Sequence, residues 1–396
     1  MTQTSLQEVG DENNLVTGFL SPGGAMDSLV TTENQMQVKI TDSVTAKNLF
    51  VRADNVTGSA ATVRSRKNGA NGNLVVSITS SSGDFEDTLD SDSLVSGDLY
   101  CFGYTKASSN NYIGALGCTL DESSTTTSYM VDSDPADFSM SSNAHNFAPL
   151  CGRPSATEAY AVTKYLFRYA TTLGPMGVFV SANTYNQPTS VIVNQNGGTA
   201  ETISMTASTT GMFTSVSTVA VASGDTVGWD VFPGAGGAGT ITVTLLFMQN
   251  KSSARLYSIE NAYTGAGSFL QGINNNFVGI AGDLTPLTTE TDIQMKLRGG
   301  AVTAKLMLTD DDTNTLNGST FVSLRVGAVT SALKVSIGAA ATGILEDNVD
   351  TVSLVNGNRI NCLVDTSGSS SGAIGLHQLG ISYLTPAGTD NTLYLA

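Results

Sequence analysis

Charge is scarce in this sequence. Only 13% of its 396 residues are Asp, Glu, Lys or Arg, about half the usual share. The charge present is mostly negative, with 34 acids against 18 bases and a net of −16. Such a chain repels polyanions, and its densest basic run, "VRSRK" at 63–67, fits an exposed strand end. Nucleic-acid binding is therefore disfavoured. No uninterrupted apolar run approaches the ~18 residues of a membrane-spanning helix. The opening "MTQTSLQEVGDENN" has neither a basic segment nor an apolar core. It carries the expectation of a protein made in a cytoplasm without a signal peptide.

Groups that do chemistry are also few. The two histidines, His145 and His377, have no catalytic partner near them in sequence. The four cysteines, Cys101, Cys118, Cys151 and Cys362, form no CxxC pair, so a zinc site is not indicated. Cys101 and Cys118 could meet across a hairpin, but a cytoplasmic origin favours reduced, packed thiols. The lone tryptophan, Trp229, could stack on a sugar; a buried core ring is the expectation. Long runs of Glu, Lys, Ala and Leu are missing, which excludes long surface helices.

What fills the chain instead is Thr, Val, Ser, Asn and Gly. The first two favour extended backbone and the others supply turns. Apolar content is ordinary at 40%, so cores can form. The length implies two to four domains.

The sequence also repeats itself. "TTENQMQVKITDSVTAK" from Thr31 is echoed by "TTETDIQMKLRGGAVTAK" from Thr288, and a weaker copy runs from Ala156 to Asn183. Glu33, Glu158 and Glu290 head these blocks. Further on, "VVSITSSSGDF", "TISMTASTTGMF" and "KVSIGAAATGIL" align through Gly83, Gly211 and Gly343. Next come "SLVSGDLYCF", "AVASGDTVGWDVF" and "SLVNGNRINCLV", with turn glycines Gly97, Gly224 and Gly357. From heading glutamate to second glycine is 64, 66 and 67 residues. Ordered landmarks at near-equal spacing in three copies are a strong signal.

Each copy reads as about eight short strands with Gly, Asn or Ser turns, which predicts an antiparallel sandwich or barrel. The fold expected from the residues is all-β, with three tandem antiparallel domains. Their bounds are 1–135 (with an N-terminal arm), 136–256 and 257–396.

Late in each unit a strand meets a Gly-Asp or Gly-Asn turn. A glycine-rich loop then follows ("TKASSNNYIG", "FPGAGGAGT", "TSGSSSGAIG"), and a final apolar strand. This resembles the jelly-roll heads of complement-type and tumour-necrosis-factor-type proteins. More closely it resembles the tandem jelly-roll structural proteins on virions of tailed phages and other large viruses. The resemblance rests on pattern along the whole chain and has no catalytic or binding motif. It implies an all-β fold of three tandem antiparallel jelly-roll β-sandwich domains, symmetric oligomers and a structural role.

Two sets of acids are candidate sites. Glu86-Asp87 and Glu346-Asp347 occupy the same place in units one and three, where unit two has Thr214-Ser215. Neighbours on a strand point to opposite faces, so these read as solvated turn acids or contacts to a neighbouring subunit. Asp310, Asp311 and Asp312, with Asn314, are a calcium candidate of hard oxygens, but lack the spacing and terminal Glu of an EF-hand. A loop of solvated acids is the plainer reading.

The sequence thus points to a non-enzymatic virion component without a cofactor, a capsid decoration or minor capsid protein. Its expected partners are other virion proteins and copies of itself, with a homotrimer favoured. Two arrangements are open: three domains closing into a pseudo-trimer within one chain, or three chains stacked as a trimer. The long connectors favour the stack. The alternative function is a receptor-binding or carbohydrate-binding fibre. A secreted adhesin conflicts with the N-terminus.

Overall fold

The structure is a computed structural model. It describes residues 2–4, 17–23, 29–54, 60–79, 81–106, 112–121, 128–133, 138–141, 144–151, 163–251, 255–261, 267–280, 282–283, 287–297 and 302–384. The chain is all-β, and two single 3-10 turns, Glu33–Gln35 and Glu290–Asp292, open equivalent stretches. Thr, Val and Ile alternate with polar residues along most strands, so one face of each sheet is apolar.

The strands pair into six sheets, two for each successive stretch of chain. In the first stretch, one sheet has the order Thr2–Thr4, Tyr112–Asp121, Val44–Asp54, Gly83–Leu94. The other has the order Thr17–Leu20, Leu99–Lys106, Ala61–Lys67, Ala70–Ile78. From Val44 onward the chain crosses from sheet to sheet, apart from the Ala61–Ile78 hairpin. This is the strand exchange of a jelly roll. The same order recurs around Thr171–Asn183 and Ile241–Asn250, and around Val302–Asn314 and Ala373–Leu384. Among the described residues, pairing is antiparallel except where Glu260–Asn261 lies parallel to Gly282–Asp283.

Pairing divides the chain between residues 121 and 128 and between 250 and 255. That lies ahead of the boundaries at 135 and 256 expected from sequence. Ser128–Ser133 pairs with Ile241–Asn250 and so joins the second strand set. The repeated sequence blocks begin after these leading strands, so the repeat does not mark them.

The landmark glycines occupy matching places. Gly83, Gly211 and Gly343 each open a strand, opposite Ala53, Val180 and Asp311. Gly97, Gly224 and Gly357 have φ of 99°, 97° and 87°. Each is the third residue of a type II turn, a position that needs positive φ. Their N–H groups donate to Ile40, Phe167 and Leu297 carbonyls at 2.8, 2.7 and 2.9 Å. The next residue, Asp98, Asp225 or Asn358, accepts the N–H of Val95, Ala222 or Val355 through its side chain, each at 2.8 Å.

The hairpin beside this turn differs among the sets. Asn68-Gly69 and Asn196-Gly197 are type I′ pairs, both residues at positive φ. Asn68 donates to Asp98 and accepts from the Leu99 N–H, at 2.7 and 2.8 Å. Asn196 does the same with Asp225 and Thr226. The third set has Gly327-Ala328, with Ala328 at φ 67° and no side chain at 327 to make the clasp. Left-handed backbone costs a non-glycine residue about 1–2 kcal/mol. Changing Gly327→Asn together with Ala328→Gly should therefore stabilise the protein by about 1 kcal/mol, since the strain at 328 is relieved while the number of glycines stays the same. Urea unfolding of the double variant checks this.

Candidate functional site

The three strand sets touch in a cycle. In each, the sheet holding the Gly83-type strand covers its own core with one face and lays its other face on another set. Phe50 and Ala115 of the first set lie in the core cluster of the third. Phe179, Leu245 and Phe247 of the second set lie in the core cluster of the first, with Met212 packed against it. Ile344 of the third set packs against the core of the second. Set one thus rests on three, three on two, and two on one. Head-to-tail contacts of this kind make a closed ring when the rotation closes.

Equivalent positions make these contacts. Asp84, Met212 and Ile344 each follow the strand-opening glycine by one residue. Across the sheet a large residue faces a glycine: Phe50 pairs with Gly117 and Phe247 with Gly177. A Cβ on Gly177 would lie 2.2 Å from the Phe247 ring, so only glycine leaves room for it.

Charged groups differ from contact to contact. Between sets three and one, Asp84 accepts hydrogen bonds from both Arg359 Nη1 and its own set's Arg52 Nη1, each at 3.3 Å. Arg359 Nη2 also donates to Asp84. Lys296 Nζ stands 3.3 Å from Glu86. Between sets two and three, Arg168 Nε donates to Glu346 at 2.6 Å. Between sets one and two, Asp42 accepts from Gln249 at 3.0 Å and pairs with Lys251 at 3.3 Å.

These contacts assign the acid pairs. Glu86 and Glu346 reach the neighbouring set, while Asp87 and Asp347 are buried. Asp87 accepts the N–H groups of Val75, Leu89 and Asp90. Asp347 accepts those of Lys334, Val349 and Asp350. The solvated-turn reading is therefore corrected for both aspartates: their oxygens satisfy backbone donors that would otherwise be orphaned. The neighbour contacted by the glutamates belongs to the same chain. Of the heading glutamates, Glu33 and Glu290 form two-pronged pairs with Arg66 and Arg325; Glu158 lies outside the described residues. No sequence spacing pointed to these arginines, which sit on distant hairpin strands.

The calcium candidate changes character. Asp310 to Asp312 lie in a strand, Val302–Asn314, rather than a loop; their side chains lie outside the described residues. The Asn314 amide is already used. It donates to the Gly338 and Ala341 carbonyls at 3.1 and 2.9 Å and accepts the Leu316 N–H at 3.0 Å. Among the described residues no group of three His, Cys, Asp or Glu side chains is placed to hold a metal. Trp229 is fully buried in the second core. All four cysteines are buried and none is in a disulfide, and Cys101 and Cys118 lie in opposite sheets of one set. Burial pushes the Cys101 thiol well up, which suppresses its reactivity.

His377 is buried in the last strand. His145 is exposed and stacks on Phe232, ring centroids 4.5 Å apart. Its Nδ1 lies 2.8 Å from a buried Asp230 oxygen. Sequence gave no hint of this pair, since 85 residues separate the two. Burial raises the Asp230 carboxyl above its ordinary value, only partly opposed by the His145 hydrogen bond. Among the described residues no Ser, Thr or Cys nucleophile is bonded to His145.

No family model matches this chain, and no curated protein matches it. A solved structure described as "The Triple Jelly Roll Fold and Turret Assembly in an Archaeal Virus" aligns at 13% identity over 88% of this chain and 81% of that one. Its TM-score is 0.18, too low to carry an argument about fold or function.

The raised Asp230 gives a signed pH expectation. With a folded pKa above the unfolded one, the native state holds more protons, so stability falls as pH rises through that window. Asp230→Asn removes this slope. Thermal midpoints measured from pH 3.5 upward should show the variant gaining on the parent as pH rises; parallel curves would contradict it.

Proposed function

We propose that this protein is a structural component of a virus particle, a capsid decoration or minor capsid protein that acts by protein contact. The observation carrying the proposal is the cyclic contact of three jelly-roll units within one chain. The geometry serves cohesion: Arg168, Lys296 and Arg359 join units, and Asp98 and Asp225 brace turns. In this reading the chain performs no catalysis and needs no cofactor. Trp229, the residue considered for sugar stacking, has no exposed face to offer.

The ring also bears on assembly. Each unit contacts both others, which argues against units stacked in separate layers. In this reading the apolar sheet faces that could join separate chains are covered by neighbouring units of the same chain. We therefore propose that three domains of one chain take the place of the homotrimer expected from sequence, and that other virion proteins are the external partners. The purified protein should scatter light as a single chain of 40.9 kDa; a mass three times larger would restore the homotrimer. Gold-labelled antibody against this chain should decorate the outside of purified particles in electron micrographs, and particles without label would overturn the virion role.

A further inference from the structure

Seven large apolar side chains are exposed among the described residues. Scattered singly, such residues need no explanation. Here, however, the three most exposed fall at one repeated position. Leu89, Val216 and Val349 are 94%, 87% and 82% exposed. They follow the strand-opening glycines Gly83, Gly211 and Gly343 by six, five and six residues. Equivalent positions in a cycle of three units are related by rotation about its axis, so these three side chains form a triangle around that axis.

Each is held out by the same device. The Asp87 side chain accepts the Leu89 and Asp90 N–H groups, both at 3.1 Å. Asp347 accepts those of Val349 and Asp350, at 3.1 and 3.0 Å. In the middle unit Ser215 Oγ accepts the Ser217 N–H at 3.2 Å and donates to Glu201 at 2.7 Å. A buried or half-buried side chain therefore fixes every turn, and the apolar tip is presented rigidly. Little ordering cost remains to be met on binding. The flanks are acidic or neutral: Asp90 and Asp350 are exposed beside two of the tips, and Ser217 beside the third.

We propose that this triangle docks the protein onto a threefold-symmetric protein surface with three shallow apolar recesses and a neutral or basic rim. The threefold repeat of the tips sets the symmetry of the partner. The acids beside them set the charge of its rim, and they disfavour a second copy of this chain, whose like charges would meet face to face. The proposal rests on the virion reading, because the particle supplies the partner.

The test uses the full-length protein and purified particles assembled without it. Leu89→Ser, Val216→Ser and Val349→Ser are made singly and together, with thermal midpoints confirming an unchanged fold. Each single change should weaken binding to the particles by about fivefold, and the triple change by about a hundredfold, as for buried contact residues. If the parent protein does not bind the particles, the virion reading fails and this proposal with it. If the parent and the triple variant bind equally, the docking triangle is overturned while the virion reading stands. Loss of binding from one position alone overturns the threefold partner. Self-association of the parent that the triple variant abolishes would make a second copy the occupant instead, contradicting the assignment.

Discussion

A β-sheet with apolar side chains on both faces must be covered twice. That constraint organises this molecule. In the strand Ile241–Asn250, the residues from Val243 to Asn250 are all buried. Ten consecutive residues of Ala373–Leu384 are likewise buried. One face of each sheet closes its own jelly roll, and the other needs a neighbour. With three units in one chain, each supplies the cover for the next, and the last returns to the first. The short strand Ser128–Ser133 shows the division residue by residue. Met130 enters the second core, while Tyr129 and Val131 enter the first.

The three contacts share a geometry and differ in chemistry. The contact between the first and second units is the most apolar, through Met212, Phe179, Leu245 and Phe247. Removing one such buried aromatic side chain typically costs about 3–5 kcal/mol. The contact between the third and first units relies more on ions, Arg359 with Asp84 and Lys296 with Glu86. Partly exposed pairs of that kind contribute about 1 kcal/mol or less each. Dispersion and burial therefore hold the ring, and charge selects which units meet. An acid at 84 facing Arg359 suits that contact alone, because Met212 and Ile344 stand at the same position in the other units. This difference favours a single cyclic order over mispaired alternatives.

Much of the fold was legible. The repeat landmarks Gly97, Gly224 and Gly357 mark identical turns because only positive φ fits there, and such a demand is written in sequence as glycine. Alternating Thr and Val marked the strands. The ring was less legible, although one sign was present: "LLFM" at 245–248 breaks the alternation expected of a half-covered strand. A continuous apolar run on a strand means burial on both faces. The ion pairs could not be read, since Arg66 and Glu33, or His145 and Asp230, meet only through the fold. The run Asp310 to Asp312 shows the converse error: three acids in a row suggested a loop, yet they lie in a strand, with Asp310 and Asp311 paired on both sides and Asp312 at a bulge.

The central claim is that the first and last units meet. It is tested most directly by exchanging the charges of one pair across that contact, Glu86 and Lys296. Glu86→Lys alone and Lys296→Glu alone should each lower stability to urea, by about 1 kcal/mol. The two together should recover at least half of the summed loss, because the pair is restored with its charges reversed. If the double reversal instead shows the full sum of both losses, the two residues do not meet and the ring is not closed.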